Sequence, residues 1–540
     1  MVRHSRSRPP PKKEIAGTPR HYFDAALVGV LILFSFFHFY GQCANFIDFS
    51  DEGFLAYGAA RVLDGQIPNR DFVSLQPPLS FYTTAGAFKL LGTNLYSMRI
   101  LGFAIHLLII ILTFLVCRNV AKPIIAFAAT LPAVFIGIPF FSFVPFAAWH
   151  GTLFSLGSMF FFFTYLSRKK HCLMFLSGLT TALAILSRHD QGFYSALAIV
   201  LCVFISSFNR DPADRIPLLK TFFSWIGGVL LLTLPFVLWS IFNGSARSML
   251  EQLVLFPFAI YGKTSSIPMP KIDWSHDFSD NVFVSFFYLT PLVALSTILI
   301  CAIRSLRKKT AEFPIRCIFL SFIALLFYLQ ALTRSDLNHL IITAPPLFIL
   351  LGFILREAVQ YAADRIRIRS QSLPGRAESI AACILCGIYV LMFFTVFSFY
   401  RDRLVNPQPG DLVKLSVPRG GVFVDANTGR SIETIVSVIQ DYSRKGESIL
   451  CLPYQPMFYF LSERRNPTRW NYLWPGDQSE KDHRQLIEEA KKGSPRLVLL
   501  FEKEAFRAYA PSIFKYIESN FDLSAENGGV SLYLPAGKKE

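Results

Sequence analysis

The sequence has little charge for its size: 17% of its 540 residues are Asp, Glu, Lys or Arg, whereas 52% are hydrophobic and 15% are aromatic. A soluble globular protein of this length needs more polar surface than that. The 55 phenylalanines gather in runs such as residues 160–163, within apolar stretches of the ~20 residues that a helix needs to cross a bilayer. The composition therefore argues against a soluble protein and predicts one embedded in lipid.

The sequence also lacks a cysteine framework, an internal repeat and any low-complexity linker beyond its Pro-rich N-terminal tail. The nine cysteines have no regular spacing. Cys383 and Cys386 form a C-x-x-C pair, but both lie within a hydrophobic run. Two small buried apolar residues are the simplest interpretation of that pair, so neither redox chemistry nor a metal is predicted there.

Apolar windows of the sequence predict about eleven transmembrane helices. The first window, near residues 22–40, is not followed by a small-residue cleavage site, so it is interpreted as a membrane anchor rather than a signal peptide. The windows begin near residues 22, 98, 121, 150, 171, 191, 221, 282, 314, 338 and 378.

The net charge of +16 is concentrated in the N-terminal tail and in every second loop between these windows. Because cytoplasmic loops carry an excess of Lys and Arg, the N-terminus is predicted in the cytoplasm and, after an odd number of spans, the C-terminus outside. This topology explains the basic charge without a nucleic-acid partner. The basic loops lie near residues 118–122, 168–170, 210–220, 304–316 and 356–376.

The predicted topology divides the chain into three parts. These are a cytoplasmic basic tail (1–21), a transmembrane body (22–399) with a large first outer loop (41–97), and an extracytoplasmic domain (400–540). In the last part, strand-like runs GVFVDA, SILCLPY and RLVLLF alternate with helical stretches near 431–443, 481–492 and 504–518. The alternation predicts a small α/β domain with a parallel or mixed sheet, attached to a polytopic α-helical membrane protein.

An acidic pair, Asp51 and Glu52, stands at the head of the first outer loop. Ser50 as N-cap and Gly65 as C-cap predict a short surface helix over residues 51–64, and the Pro-Pro pair at 77–78 opens a second one that ends near residue 92. The helix dipole favours carboxylates at a helix start by about 0.3 to 1 kcal/mol, so a purely structural role for the pair stays open.

Two other turns on the predicted outer side combine a cation, an acid and a histidine within three to six residues. Such clusters at the membrane surface are costly unless their members pair with each other or with a ligand, which favours a functional site. His106 and His150 stand alone and are interpreted as interfacial anchors. The first turn contains Arg188, His189 and Asp190, and the second contains Arg334, Asp336 and His339.

The residues after the acidic pair read G-x-x-x-Y-G-A-A-R-V-L-x-G-Q-I-P-x-R-D-F and then Q-P-P-L-S-F-Y. In this context the chain resembles the GT-C glycosyltransferases that use polyprenyl-phosphate-linked sugars, and most of all their protein O-mannosyltransferase and aminoarabinose-transferase types. The resemblance implies hexosyl or pentosyl transfer from the lipid donor to a lipid, glycan or protein acceptor. It implies Asp51 as the catalytic base, with Glu52 beside it.

The resemblance also implies a site that binds the phosphate of the lipid donor. Many relatives have Lys before the Pro-Pro pair, where this chain has Gln76, so other cations are needed to neutralise the phosphate. Their chemistry suits Arg188, His189, Arg334 and His339, with Asp190 and Asp336 in the same turns; Arg61, Arg70 and Gln76 are further substrate-binding candidates. The many acids could hold Mg²⁺ or Mn²⁺, but no ligand spacing predicts a metal site.

Several alternatives remain open from the sequence. Inverting transfer needs one carboxylate, whereas a retaining mechanism needs a second across the sugar, for which Asp48, Asp190 and Asp336 are available. A transporter or flippase would place ionisable groups at mid-membrane, where this sequence has few. An oligosaccharide ligase or polymerase shares the topology. The expected location is a bacterial inner membrane; in an endoplasmic reticulum, Asn243 of Asn-Gly-Ser would be a glycosylation acceptor.

Overall fold

We analysed a computed structural model that describes residues 19–136, 143–208, 215–264, 266–273, 278–308, 315–370, 373–404 and 412–537. Most of the predicted basic tail lies outside these residues. Two π-helical turns, Glu251–Leu255 and Pro257–Tyr261, connect the tenth and eleventh helices. Up to residue 404 the helices are α1 (Pro19–Tyr40), α2 (Asp51–Leu63), α3 (Leu79–Leu91), α4 (Leu95–Cys117), α5 (Pro123–Ile136), α6 (Ala147–Arg168), α7 (His171–Ser187), α8 (His189–Ser207), α9 (Leu218–Phe242), α10 (Ala246–Leu250), α11 (Gly262–Thr264), α12 (Phe278–Lys308), α13 (Ile315–Thr333), α14 (Leu337–Ile342), α15 (Pro345–Ser370) and α16 (Pro374–Leu404).

Eleven of these helices correspond to the eleven predicted windows: α1, α4 to α9, α12, α13, α15 and α16. By length and composition, eight helices of the described residues can cross a membrane, and Pro123–Val134 and His171–Ser187 are shorter apolar helices. The protein is an integral membrane protein. The tenth span begins at Pro345 and not near residue 338, because residues 337–342 form the separate helix α14 and a Pro-Pro pair starts the next helix.

The predicted cytoplasmic loops come together at one end of the bundle, here called the basic face. Arg118 forms an ion pair of 2.8 Å with Asp24 at the start of α1, and Lys122 pairs with Glu378 at the start of α16. Arg356 donates to the Val120 carbonyl at 3.2 Å. Residues 209–214 and 309–314 of these loops are outside the described residues.

The opposite end, here called the domain face, carries the first loop, the segment 243–273, the turn 334–344 and the C-terminal domain. Contacts among these segments join residues far apart in the sequence. They are Arg70 to the Asn243 carbonyl at 3.3 Å, Ser335 N–H to the Ile267 carbonyl at 3.1 Å, and Thr264 hydroxyl to Asp477 at 2.8 Å.

The C-terminal domain contains a mixed four-stranded sheet, which agrees with the predicted α/β class. Strand order is β3-β4-β6-β5, with β3 and β4 parallel and the other pairs antiparallel. The predicted strands correspond to β2, β3 and β4. The predicted helix 504–518 is interrupted at Ala510–Pro511. The elements are β1 (Leu412–Lys414), β2 (Phe423–Asp425), α17 (Ala426–Tyr442), β3 (Leu450–Leu452), α18 (Pro456–Ser462), α19 (Glu480–Gly493), β4 (Val498–Phe501), α20 (Lys503–Tyr509), α21 (Pro511–Asn520), β5 (Phe521–Asn527) and β6 (Val530–Pro535).

The C-terminal domain is tightly attached to the first loop. Backbone hydrogen bonds of 2.7 Å join Phe423 of β2 to Ala44 and Phe46. Helix α18 packs on α2 so closely that a Cβ added to Gly53 would lie 2.5 Å from the Met457 nitrogen. The start of α2, which carries the acidic pair, is therefore held between the membrane body and the C-terminal domain.

Candidate active site

Helix α2 begins at Asp51, as predicted, but its cap differs from the prediction. Ser50 makes no side-chain capping hydrogen bond. Instead, Asp48 Oδ1 accepts the N–H groups of Ser50 at 2.9 Å and Asp51 at 3.2 Å. A carboxylate satisfies two of the free N–H groups at the helix start, where the dipole also favours negative charge.

Glu52 is enclosed in a buried ion pair with Arg99 of α4. Its Oε1 accepts from Arg99 Nε at 2.8 Å and its Oε2 from Arg99 Nη2 at 2.9 Å, and both side chains are 0% exposed. Oε2 also accepts the Asp48 N–H at 3.1 Å. Arg99 donates further to the carbonyls of Asn45 and Phe46, each at 2.6 Å. Both carboxylate oxygens of Glu52 therefore accept hydrogen bonds and are shielded from solvent.

Asp51, by contrast, is exposed at the surface of α2. Its Oδ1 accepts a hydrogen bond of 2.6 Å from the hydroxyl of Tyr454, in the C-terminal domain. Among the described residues its Oδ2 has no hydrogen-bond partner. The two neighbouring carboxylates of the predicted pair thus have opposite environments: one is neutralised in the interior, and the other is available at the domain face.

A third carboxylate, Asp48, lies beside this pair. Burial is the main cause that raises the pKa of Asp48 to about 6, and the negative charges of Asp51 and Glu52 add to it. The two hydrogen bonds that Asp48 accepts from backbone N–H groups act against this shift. Negative charge is crowded at the start of α2, and a cationic or neutral group of a substrate is favoured there over an anionic one.

The first-loop cations have different surroundings. Arg61 is 5% exposed and donates to Asn471 Oδ1 at 2.8 Å and to the Asp71 carbonyl at 3.0 Å, so it joins the loop to the C-terminal domain. Arg70 is at the surface and pairs with Asp71 at 2.8 Å. Gln76 is half-buried, and its backbone N–H donates to the Ser74 hydroxyl at 3.1 Å.

The two predicted mixed turns each contain an internal ion pair. Arg188 Nε lies 3.0 Å from Asp190 Oδ1, and Arg334 Nε lies 3.1 Å from Asp336 Oδ2. His339 Nδ1 lies 2.8 Å from Asp336 Oδ1. Burial alone would raise the pKa of Asp336, but the hydrogen bonds from His339 and the charge of Arg334 outweigh it and hold that pKa below its usual value.

Both turns and the first loop pack against the first turn of α6. A Cβ added to Gly151 would lie 2.7 Å from Arg188 Cβ, so glycine permits the close approach of that turn. On the next residue, the Thr152 hydroxyl donates to the Ile342 carbonyl of α14 at 3.0 Å. Thr83 of α3 contacts His150 Nε2 at 2.9 Å. The structure thus brings the 188–191 turn, the 334–342 turn and α3 around one turn of α6.

This region contains buried polar atoms that lack a hydrogen-bond partner among the described residues. They are His189 Nδ1, Gln191 Nε2 and Asn338 Oδ1. A buried polar atom without a partner costs about 1 to 3 kcal/mol. Ligand oxygens that accept from His189 and Gln191, and a ligand hydroxyl that donates to Asn338 Oδ1, would recover that free energy.

Two residues of this site were not found by sequence reasoning. Arg99 was detectable as a lone cation near the start of an apolar window, a feature that marks a paired or functional residue. Tyr454 lies 403 positions from Asp51, and no local pattern connects the two. Among the described residues, no group of three or more His, Cys, Asp or Glu side chains is placed to hold a metal ion.

Comparison with known proteins establishes the fold. No protein-family model and no curated protein sequence matches the chain. The crystal structure of ArnT from Cupriavidus metallidurans bound to undecaprenyl phosphate is similar, with a TM-score of 0.54 and 13% identity over 96% of this chain and 98% of that chain.

A second similar structure is the archaeal oligosaccharyltransferase AglB from Archaeoglobus fulgidus in complex with an inhibitory peptide and a dolichol-phosphate. Its TM-score is 0.51 with 10% identity, over 96% of this chain and 74% of that chain. Both proteins are GT-C glycosyltransferases. The chain therefore has the GT-C fold, as the motifs of its first loop indicated.

Proposed function

We propose that the protein is an inverting glycosyltransferase that moves a sugar from a polyprenyl-phosphate donor to an acceptor at the domain face. The observation that carries this proposal is the contrast within the acidic pair. Glu52 is buried against Arg99, whereas Asp51 is exposed, with its Oδ2 available to a substrate. A single accessible carboxylate at a rigid helix start suits a general base.

In this mechanism Asp51 takes the proton of the acceptor hydroxyl as the hydroxyl oxygen attacks the anomeric carbon. The bond from that carbon to the phosphate oxygen breaks, and the lipid phosphate leaves with the electron pair. Phosphate is a good leaving group, so positive charge near it suffices and no general acid is needed. Glu52 orients the first turn of α2 through Arg99 and makes no contact with the substrate.

Arg188 and Arg334 are the residues that we assign to the donor phosphate, with His189 and His339 beside them. Each arginine is paired with an aspartate in its own turn and is partly exposed. Such pairs contribute only about 0 to 1 kcal/mol, so a phosphate can compete with the aspartate. The unsatisfied nitrogens of His189 and Gln191 supply further contacts for phosphate or sugar oxygens, and Asn338 Oδ1 can accept from a sugar hydroxyl.

The two similar structures support a lipid-phosphate donor. ArnT was crystallised with undecaprenyl phosphate, and AglB was solved in complex with an inhibitory peptide and a dolichol-phosphate. A polyprenyl tail can stay in the bilayer while its head group reaches the domain face. This chemistry is common to hexosyl and pentosyl donors and to lipid, glycan or protein acceptors.

The geometry favours inversion over retention. A retaining enzyme needs a second carboxylate about 5 Å from the first, across the sugar. Asp48 lies just before α2 and accepts the Asp51 N–H at 3.2 Å, so it lies beside the base. Asp190 and Asp336 are engaged with Arg188 and Arg334. The proposed reaction uses no divalent cation.

We also propose that the basic face is cytoplasmic and the domain face extracytoplasmic, in a bacterial inner membrane. The positive-inside rule supports this orientation. The test uses a membrane-impermeant maleimide on intact cells. It should label a Ser524→Cys variant, at an exposed position of β5, and should label the exposed native Cys172 of the basic face only after lysis. The reverse pattern would contradict the orientation.

Transfer in detergent separates an enzyme from a transporter. The purified protein is mixed with undecaprenyl-phosphate-linked radiolabelled hexoses or pentoses and with extracted cell-envelope acceptors. A transferase moves label into the acceptor fraction without any compartments, whereas a transporter or flippase moves none. Lipid-linked oligosaccharides used in place of single sugars identify a ligase or polymerase.

A further inference from the structure

The C-terminal domain reaches the proposed base through one side chain. Tyr454 follows β3 and precedes α18, and its hydroxyl donates to Asp51 Oδ1 at 2.6 Å. This is the length expected for a hydrogen bond from a hydroxyl to an ionised carboxylate, the strong class of such bonds. No other described residue makes a side-chain hydrogen bond to the Asp51 carboxylate.

The ring of Tyr454 is fixed by its neighbours. Its centroid lies 5.4 Å from that of Tyr472 and 6.3 Å from that of Trp474. Tyr472 in turn contacts Phe54 of α2 edge-to-face at 5.8 Å. Aromatic contacts of this kind restrict ring orientation. The hydroxyl of Tyr454 is thus aimed at Asp51 by packing that includes α2 itself.

The proton of this hydrogen bond belongs to the phenol. Burial, followed by the charge of Asp51, raises the pKa of Tyr454 well above its usual range. The hydroxyl is therefore a permanent donor at the pH values where a carboxylate base is ionised. Tyr454 cannot act as a second base under these conditions.

We propose that Tyr454 is a positioning residue for the reaction: its hydroxyl fixes the Asp51 carboxylate through Oδ1 and leaves Oδ2 to receive the acceptor proton. The inference rests on the proposed role of Asp51. It assigns the C-terminal domain a part in the reaction centre itself. The membrane body supplies the base, and a residue 403 positions away orients it.

Removal of the hydroxyl has a specific kinetic signature. In Tyr454→Phe the Asp51 carboxylate loses the hydrogen bond that orients it, so kcat falls about threefold to tenfold. The KM for the lipid donor stays within about twofold, because Tyr454 lies outside the two turns assigned to the donor phosphate.

A second tyrosine of the same domain provides the matched control. The hydroxyl of Tyr459 in α18 accepts the Cys451 N–H at 2.7 Å, and its ring stacks on Tyr57. Tyr459→Phe removes a more deeply buried hydroxyl from the packing of the domain without touching Asp51. We expect a lower thermal midpoint in this variant and a kcat within about twofold of wild type.

The experiment compares kcat, the KM for the lipid donor and the thermal midpoint of wild type, Tyr454→Phe, Tyr459→Phe and Asp51→Asn, with the radiolabelled undecaprenyl-phosphate sugars as donors. Fluorotyrosine at position 454 keeps the hydroxyl donor and nearly the same shape, so it should keep kcat within about twofold of wild type even if Tyr454→Phe does not fold. If Asp51→Asn is inactive and either Tyr454→Phe keeps the wild-type kcat or fluorotyrosine loses it, the role of Tyr454 is overturned alone. Full activity of Asp51→Asn would overturn the proposed function as well.

Discussion

Arg99 and Glu52 form a bidentate ion pair, completely buried, between helix α4 and the first turn of α2. The pair fixes the start of α2 relative to the membrane body, since Arg99 also holds the carbonyls of the preceding loop. The neighbouring residue, Asp51, is consequently presented at the domain face in one orientation. A rigid base is effective because little reorganisation is needed when the proton moves.

We expect Glu52→Gln to destabilise the protein by about 3 to 5 kcal/mol, because the charge of Arg99 stays buried without a counter-charge. The measurement is the thermal unfolding midpoint in detergent. Lys122→Gln is the control, since its pair with Glu378 is partly exposed and contributes less than about 1 kcal/mol. If Glu52 took part in the chemistry instead, Glu52→Gln would lose activity at an unchanged midpoint.

The crowded carboxylates at the start of α2 predict a pH dependence of stability. The pKa of Asp48 is raised to about 6, above its unfolded value of about 4. At pH values between these two pKa values the folded state binds more protons than the unfolded state. The free energy of unfolding therefore falls as the pH rises from about 4 to 6, and it stays at the lower value above pH 6. In Asp48→Asn the amide oxygen still accepts both N–H groups, and the thermal midpoint should no longer fall across that window.

Asp71→Asn is the opposite case to Asp48→Asn. Partial burial would raise the pKa of Asp71, but the hydrogen bonds from Arg70 and the Ile67 N–H lower it. The Asp71 carboxylate therefore stabilises the folded state at pH values above the pKa that Asp71 has in the unfolded chain. This stabilisation is lost as the pH falls through the lower pKa of Asp71 in the folded state. Above about pH 6, Asp48→Asn should be more stable than wild type by about 1 to 2 kcal/mol, and Asp71→Asn less stable. A parallel response of both variants would contradict this account.

The assignment of the donor phosphate predicts weaker lipid binding in Arg188→Gln and Arg334→Gln. The loss of one charge-assisted contact should raise the Kd for undecaprenyl phosphate about tenfold in each variant. Arg247→Gln is the control on the same face, since Arg247 is 90% exposed and pairs with Glu251, four residues further along the chain. Binding in detergent can be followed by intrinsic tryptophan fluorescence. Wild-type affinity for undecaprenyl phosphate in both variants would contradict the assignment of the phosphate site to Arg188 and Arg334.

Much of the architecture was predictable because apolar length and loop charge are local properties. The eleven windows match eleven helices, eight of which are long and apolar enough to cross a membrane, and the helices over 51–64 and 77–92 were expected within about two residues. Helix α14 was missed because its apolar residues 337–342 run almost directly into those of the next helix. A window average cannot detect the break at Thr343 and Ala344 that separates them.

The site was predictable only in part. The sequence identified Asp51 and Glu52 as a pair, but their opposite environments depend on Arg99 and on the fold that brings it to Glu52. It identified the turns at 188–190 and 334–339, but not the turn of α6 around which they meet. The contact of Tyr454 depends on how the C-terminal domain docks, which is a tertiary property without a local signal.

The central claim is that Asp51 is the base. The most direct test is single-turnover transfer from a radiolabelled undecaprenyl-phosphate sugar by purified Asp51→Asn, with wild type measured in parallel. We predict a loss of at least about 100-fold in the rate, with unchanged undecaprenyl phosphate affinity and thermal midpoint. Transfer by Asp51→Asn at a rate within about threefold of wild type would contradict the account.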